Sequence, residues 1–147
     1  MIRDCLDSDI SALVEMSREF WQHSPYSEQE FIDADAKSMI QATMKDNLCF
    51  VYDVDVTAQG FICGVKGPLM VNFGVLIGTE LAWWVNEDHR KSSGGLKLLR
   101  AIEQRAKELG LKYWNMCYMQ SSMPESMKKI YKSMGYKETE SIYMRAL

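Results

Sequence analysis

The stretch of residues 80–110 constrains this chain more than any other part of it. Residues 81–85 are apolar types that favour a half-buried strand, and the strand pattern breaks at residues 86–88. A turn of small residues follows at 92–95. Helical spacing then begins, with an apolar stripe of Leu98, Leu99, Ile102, Ala106 and Leu109 before the helix stop at Gly110. A strand, a small-residue turn and a helix in this order predict an anion-binding site, because N–H groups and the helix dipole point outward at the helix start.

The spacing within this turn narrows the choice of anion. The patterns G-x-x-x-x-G-K-[ST] and G-x-G-x-x-G are both absent, which argues against a nucleoside triphosphate or a dinucleotide. Residues 90–95, followed by Leu98 and Leu99, resemble the [R/Q]-x-x-G-x-[G/A] signature of the GNAT acetyltransferase superfamily, which binds acetyl-CoA. Ser93 replaces the first glycine of that signature, and serine tolerates a positive φ less well. A turn of similar composition without a ligand is the alternative.

The resemblance implies a set of residues that hold the donor. The expected pyrophosphate ligands are Arg90, Lys91, Ser92, Ser93, Gly94, Gly95 and Leu96. In the family a backbone N–H from the splayed end of strand four binds the acetyl carbonyl, which corresponds here to Trp84 or Val85. Backbone donors aimed at a developing oxyanion are typically worth ~3 kcal/mol.

A second resemblance lies in the last third of the chain. Residues 131–136, Tyr-Lys-Ser-Met-Gly-Tyr, match a GNAT pattern in which a tyrosine is followed by three residues and then Gly-Phe or Gly-Tyr. The resemblance implies that the Tyr131 hydroxyl protonates the departing CoA thiolate, which requires close approach because a phenol is a weak acid. Pro124 stands where the family has an asparagine. Core packing among apolar helical neighbours is the other interpretation of Tyr131.

Transfer to an amine also requires a base, since only a neutral amine attacks a thioester. Glu80 is the candidate, because several family members carry an acidic base on strand four, and a carboxylate entering an apolar strand has a raised pKa. A solvent-exposed glutamate at the strand edge is the alternative. His23 and Tyr118 are reserve candidates, and with Tyr26 and Glu28 they form the predicted acceptor-binding set.

Charge is distributed unevenly along the chain and indicates what the acceptor could be. Residues 1–56 carry 4 basic and 12 acidic side chains, whereas residues 57–147 carry 13 basic and 8 acidic ones. This asymmetry suggests a polyanion such as CoA on one half and a cationic acceptor on the other, although solvated faces would explain it too. The acidic residues 28–35 lie in the region of the first two helices and the 67–78 loop, where the family places its acceptor. Nucleic acid is an unlikely partner, because no basic stripe with interleaved aromatics is present.

Composition sets the broad class of the protein. With 147 residues, 47% hydrophobic and 25% charged, the chain is expected to form one soluble domain over residues 1–147. No apolar run approaches a bilayer span, and no signal-peptide pattern follows Met1, so we expect a cytoplasmic protein without a membrane partner. The four cysteines contain no C-x-x-C pair and only two histidines accompany them, so neither disulfides nor a metal site is expected.

The predicted order of elements is β α α β β β α β α β β. Hairpin-length links between strands two, three and four, with a helical crossover into strand five, indicate an α/β (α+β) fold. Its mixed, mainly antiparallel sheet would have 6–7 strands flanked by about four helices, which is also the GNAT arrangement. A capping box at Ser27 and Glu30 predicts the start of the second helix. Residues 136–137 and 139–144 are predicted as terminal strands.

These features together predict an acetyl-CoA-dependent N-acetyltransferase that uses direct transfer in a ternary complex. The acceptor would be an amine-bearing small molecule or protein, and a homodimer is one possible assembly. Two alternatives remain at this point. One is a catalytically silent module of the same fold that binds CoA or a protein partner, and the other is a protein-inhibiting interaction domain without a ligand.

Overall fold

The computed structural model describes all residues of the chain, Met1–Leu147. The chain divides into two compact units, Met1–Cys117 and Tyr118–Leu147. The first unit holds the sheet and three helices, and the second holds the last helix. In chain order the elements are β1 (Ile2–Asp4), α1 (Ile10–Gln22), α2 (Asp33–Lys45), β2 (Cys49–Val54), β3 (Thr57–Leu69), β4 (Asn72–Val85), α3 (Gly94–Glu108), β5 (Tyr113–Asn115) and α4 (Pro124–Ser133), with short 3₁₀ turns at Asp7–Asp9 and Glu87–His89.

The sheet has five strands in the order β1-β2-β3-β4-β5. Every neighbouring pair is antiparallel except β4 and β5, which run parallel. The parallel pair follows from the helical crossover through α3, since hairpins can only join antiparallel strands. The predicted α+β fold with a mixed, mainly antiparallel sheet and four helices is therefore confirmed, but the sheet has fewer strands than the predicted 6–7.

Alternate side chains of the strands pack against different helices. Cys49 and Val51 of β2 join a core cluster with α1 and α2, which contribute Leu13 and Ile40. Phe50, between them, lies under the guanidinium of Arg105 on α3, 4.9 Å from its ring centre. Because successive strand residues point to opposite faces, α3 covers one face of the sheet, and α1 with α2 covers the other. None of the helices is long and apolar enough to cross a membrane.

The hairpin of β3 and β4 is longer than predicted. The pairing runs from Gly60 opposite Val85 to Leu69 opposite Asn72, so the predicted loop at residues 67–78 is part of the sheet. The glycines that suggested an interruption are paired strand residues, and the Trp114 ring of β5 lies directly over Gly64 and Gly78. Glycine is needed there because another ring takes the space of a side chain.

The second helix begins later than the predicted capping box indicated. Residues 23–29 form turns instead, held by the Ser27 amide on the Ser24 carbonyl and by the Trp21 indole N–H on the Gln29 carbonyl at 3.0 Å. α2 starts at Asp33, whose carboxylate in the first turn favours the helix dipole. The prediction at Ser27 was wrong because Trp21, several residues upstream, fixes this segment.

The Tyr118–Leu147 unit contains α4 and no strand. Proline at the first position of α4 confirms the predicted helix start. The predicted strands at residues 136–137 and 139–144 do not form. Ile142 and Tyr143 are 88% and 96% exposed, and an alternating pattern does not form a strand unless a neighbouring strand pairs with it.

The Trp114 contacts predict different effects of two glycine substitutions on β3. A Cβ at Gly64 would lie 2.5 Å from the Trp114 ring and 2.6 Å from the Thr79 carbonyl oxygen, whereas a Cβ at Gly67 meets nothing within 4 Å. We expect Gly64→Ala to lower the free energy of unfolding by about 1–3 kcal/mol, and Gly67→Ala to change it by less than about 0.5 kcal/mol. Urea unfolding followed by circular dichroism measures both. Equal effects of the two variants would contradict this packing.

Candidate active site

The edge of β4 becomes free partway along the strand. β4 pairs with β5 only from Ile77 to Thr79, and the last pair, Thr79 with Asn115, is joined by a side-chain hydrogen bond of 3.4 Å. Beyond it β4 continues to Val85, paired with β3 alone. The amide of Asn86 donates to the Gln59 carbonyl on the β3 side. Because backbone direction alternates along a strand, the N–H of Val85 points to the other, open side.

β4 leads into the predicted anion-binding turn and the start of α3. The Ser92 hydroxyl accepts from the Gly94 amide at 3.1 Å and donates to the His89 carbonyl at 2.7 Å. The first hydrogen bond of the helix joins the Lys97 amide to the Ser93 carbonyl. The amides of Gly95 and Leu96 precede that bond and have no acceptor within the helix. They are donors suited to an anion.

The two glycines of this turn have different surroundings. A Cβ at Gly94 would lie 2.4–2.7 Å from the Tyr52 ring of β2, so the ring and a side chain cannot both fit. A Cβ at Gly95 would make ordinary contacts of 3.6 Å or more with Trp83 and Val85. Ser93 has a φ of −76°, which any residue adopts, so its replacement of the family's glycine causes no strain. Tyr52 was not predicted, since nothing in the sequence connects β2 with this turn.

Arg90 folds back along the end of β4. Its Nε donates to the Val85 carbonyl at 2.9 Å, and its guanidinium lies 4.5 Å from the centre of the Trp84 ring. Trp84 is buried and packs against Phe20 of α1 and the His23 ring, with centroids 6.5 and 5.7 Å away. Arg90 and the reserve candidate His23 therefore both contact Trp84. Lys91, the next predicted ligand, is exposed.

The predicted base, Glu80, lies one residue beyond the last pair of β4 and β5. It is 7% exposed, which excludes the alternative of a solvated strand-edge glutamate. Its carboxylate accepts from the Cys117 amide at 3.3 Å and so bridges the two diverging chain segments. Burial raises the pKa of Glu80 to about 7, and the hydrogen bond from Cys117 opposes that rise only in part. A carboxylate with this pKa can accept a proton near neutral pH.

An apolar pocket of about 380 Å³ opens between α1, α2 and β4. It lies in the region predicted for the acceptor as far as the two helices are concerned, but Leu81 and Ala82 of β4 take the place of the expected 67–78 loop. Phe20 lines the pocket and also packs edge-on against Trp84, so the pocket lies beside the free end of β4. The candidates Tyr26 and Glu28 are exposed and do not line it.

The remaining predicted residues belong to the Tyr118–Leu147 unit. Tyr131 is buried, and its ring centre lies 5.6 Å from that of Tyr136. The Tyr118 ring has the ammonium of Lys128 at 5.3 Å from its centre. In the chain as a whole, no group of three or more histidine, cysteine, aspartate or glutamate side chains is arranged to hold a metal ion.

Comparison with known proteins adds independent information. A comparison with curated protein sequences found no significant match. Among solved structures, a ribosomal-protein-alanine N-acetyltransferase from Brucella melitensis biovar Abortus is similar, with a TM-score of 0.75, 18% identity, and 100% of this chain and 99% of that chain covered. An aminoglycoside N-acetyltransferase solved with CoA has a TM-score of 0.73 and 15% identity, with 100% and 98% covered. A predicted acetyltransferase from Clostridium acetobutylicum, solved with acetyl-CoA, has a TM-score of 0.73 and 17% identity, with 99% and 95% covered.

Identities this low establish a shared fold and nothing more specific. Family membership is shown by a different comparison, in which the sequence pattern of the GNAT acetyltransferase family matches residues 10–136. That match includes the anion-binding turn, Glu80 and the 131–136 motif. The chain therefore belongs to the GNAT family of acetyltransferases.

Proposed function

We propose that this chain is an acetyl-CoA-dependent N-acetyltransferase that acetylates a primary amine by direct transfer in a ternary complex. Family membership supports acetyl transfer, and the structural neighbours solved with CoA or acetyl-CoA support the donor. The observation that carries the proposal is the buried Glu80 carboxylate, which has a pKa of about 7 and lies where β4 parts from β5. The same strand runs on into the anion-binding turn, so that a base and a donor site share one element.

In this proposal the pyrophosphate of the donor binds the start of α3. The amides of Gly95 and Leu96 donate to its oxygens, and Arg90 and Lys91 supply positive charge. Ser92, Ser93 and Gly94 complete the binding segment. The proposed role of Ser92 is to hold the turn through its bonds to the Gly94 amide and the His89 carbonyl.

The proposed reaction begins with attack of the neutral amine nitrogen on the thioester carbon. Glu80 takes the proton that the nitrogen loses, and the N–H of Val85, which points to the open side of β4, stabilises the oxyanion. Trp84 is the weaker candidate for that donor, because its backbone faces β3. The carbon–sulfur bond then breaks, and the CoA thiolate takes a proton from the Tyr131 hydroxyl. The products are the N-acetylated amine and CoA.

The surroundings of the two glycines predict unequal effects on donor binding. Gly94→Ala would push a methyl group into the Tyr52 ring and displace the start of α3, whereas Gly95→Ala fits. We expect the dissociation constant of acetyl-CoA to rise about tenfold or more in Gly94→Ala and to change less than about threefold in Gly95→Ala. Isothermal titration calorimetry measures both constants. A donor site elsewhere in the chain would make the two variants equivalent.

The pKa of Glu80 predicts a pH dependence that Glu80→Gln should abolish. A base must be deprotonated, so kcat/KM of the wild type should rise as the pH passes through about 7. Glu80→Gln should lose that inflection and about 10²–10⁴-fold in rate. Thiol release at saturating acetyl-CoA, from pH 5.5 to 9, measures the profile. Retention of the inflection in the variant would assign the base to another group.

The same substitution should change stability in the opposite direction. Because the pKa of Glu80 is raised in the folded state, ionisation opposes folding, and stability falls as the pH rises from the unfolded value of about 4.5 through about 7. Glutamine keeps an acceptor for the Cys117 amide but never ionises. We therefore expect Glu80→Gln to have a higher Tm than the wild type at pH 8.5, and a similar Tm at pH 4.5. A lower Tm of the variant at pH 8.5 would contradict the burial of a charged carboxylate.

Tyr131→Phe separates an enzyme from a silent binding module of the same fold. If Tyr131 is the general acid, the variant should lose about a hundredfold or more in kcat and keep its affinity for acetyl-CoA. Thiol release and calorimetry on the same preparations measure the two quantities. A binding module would release no thiol even as the wild type, and a protein-interaction domain without a ligand would show no heat with acetyl-CoA.

A further inference from the structure

The apolar pocket between α1, α2 and β4 contains one polar group without a partner. Ser17 of α1 lines the pocket and is 5% exposed, and its hydroxyl oxygen is buried without a hydrogen bond. A buried hydroxyl in this state costs stability. Such a group in a pocket wall indicates a bound molecule that supplies the missing hydrogen bond.

The walls around Ser17 are almost entirely apolar and aromatic. A ligand in this pocket would contact carbon over most of its surface, since the walls comprise Phe20, Trp21, Phe31, Ile32, Met39 and Leu81. The volume of about 380 Å³ is at the lower end of the range for small-molecule sites. The pocket therefore suits a compact molecule with an apolar body.

Negative charge surrounds the mouth of the pocket. Glu30 and Asp35 are exposed lining residues, and neither forms an ion pair. The nearby cation, Arg18, is engaged by Asp33 at 2.6 Å and lies over the outer part of the Phe31 ring. The field at the mouth is thus negative, which draws protonated amines toward it.

We infer that this pocket is the acceptor site and that it takes a small primary amine with an apolar, preferably aromatic, body, such as a 2-arylethylamine. The inference rests on the proposed acetyltransferase function and specifies its substrate class. The body fills the apolar walls, and the Ser17 hydroxyl accepts a hydrogen bond from the amine N–H. Leu81 and Ala82, which follow Glu80 in β4, form the inner wall and bring the amine to the side of the base.

The same walls disfavour polar acceptors. An aminoglycoside would bury several hydroxyl groups against carbon, and a peptide would bury backbone N–H and C=O groups, but the pocket offers only the Ser17 hydroxyl in its interior. Each unpaired group of this kind opposes binding. The fold shared with an aminoglycoside N-acetyltransferase and with a ribosomal-protein-alanine N-acetyltransferase does not carry over to their acceptors.

A panel of acceptors tests the substrate class. With the wild-type chain and acetyl-CoA, we expect kcat/KM for 2-phenylethylamine and tryptamine to exceed that for kanamycin, spermidine and an alanine-initiated peptide by about tenfold or more. Thiol release measures each rate, and mass spectrometry identifies the product. Preferred turnover of kanamycin, spermidine or the peptide would overturn the inference.

Ser17→Ala tests the site itself. We expect KM for 2-phenylethylamine to rise about three- to tenfold, as the loss of one hydrogen bond predicts, with little change in kcat. Tm should stay the same or rise, because the hydroxyl has no partner to lose within the protein. Ser11→Ala, an exposed change on the same helix, should leave KM and Tm unchanged. An unaltered KM in Ser17→Ala would overturn the assignment.

The charges at the mouth have their own test. The double variant Glu30→Gln, Asp35→Asn should raise KM for 2-phenylethylamine severalfold and weaken its dependence on salt. Glu19→Gln, an exposed charge of α1 outside the pocket, is the control and should leave both unchanged. Equal behaviour of the double variant and the control would show that the mouth plays no part in acceptor binding.

A direct binding measurement separates failure of this inference from failure of the proposed function. Saturation-transfer NMR detects 2-phenylethylamine on the wild type without any transfer reaction, and Ser17→Ala should reduce the signal. If acetyl-CoA produces no heat on titration, the proposed function fails, while the NMR result still decides whether the pocket binds the amine. If acetyl-CoA binds but the amine gives no signal, the function stands and the pocket assignment is overturned.

Discussion

β4 is paired along its whole length with β3, but with β5 over only three residues. This unequal pairing places a free strand edge inside an otherwise covered sheet. The Glu80 carboxylate lies directly after the last shared pair and accepts from the Cys117 amide across the gap, so a side chain continues the link where backbone pairing ends. The open edge, the raised pKa and the approach to the start of α3 all depend on that divergence.

Two groups in the Met1–Cys117 unit oppose its stability, and both lie near this edge. Glu80 is a carboxylate in a site where burial disfavours its charge, and Ser17 has a buried hydroxyl with no partner. Elsewhere in the unit charges are paired, as in the Arg3 guanidinium between Asp9 and Asp53. Unfavourable groups concentrated around one strand end are expected of a site that binds and reacts, because ligand or proton transfer satisfies them.

The two tryptophans of β4 connect the halves of the proposed site. Trp83 points to the α3 side and lies beside Gly95, whereas Trp84 points to the α1 side and packs against Phe20, which lines the apolar pocket. Arg90 passes around the strand end and contacts Trp84 and the Val85 carbonyl. Donor turn and acceptor pocket are thus held on opposite faces of one strand by side chains that alternate along it.

Local patterns in the sequence were sufficient for the helix α3, its anion-binding turn, the antiparallel hairpins and the identity of Glu80 as a candidate base, because each depends on residues that are neighbours along the chain. Contacts between distant residues decided the rest. Tyr52 requires glycine at position 94, Trp114 keeps Gly64 and Gly78 within the sheet, and Trp21 fixes the turns that replace the predicted capping box. The terminal strands did not form because alternation specifies a face but cannot supply a partner. The pKa of Glu80 and the unpaired Ser17 hydroxyl likewise arise from burial, which only the packing of helices on the sheet determines.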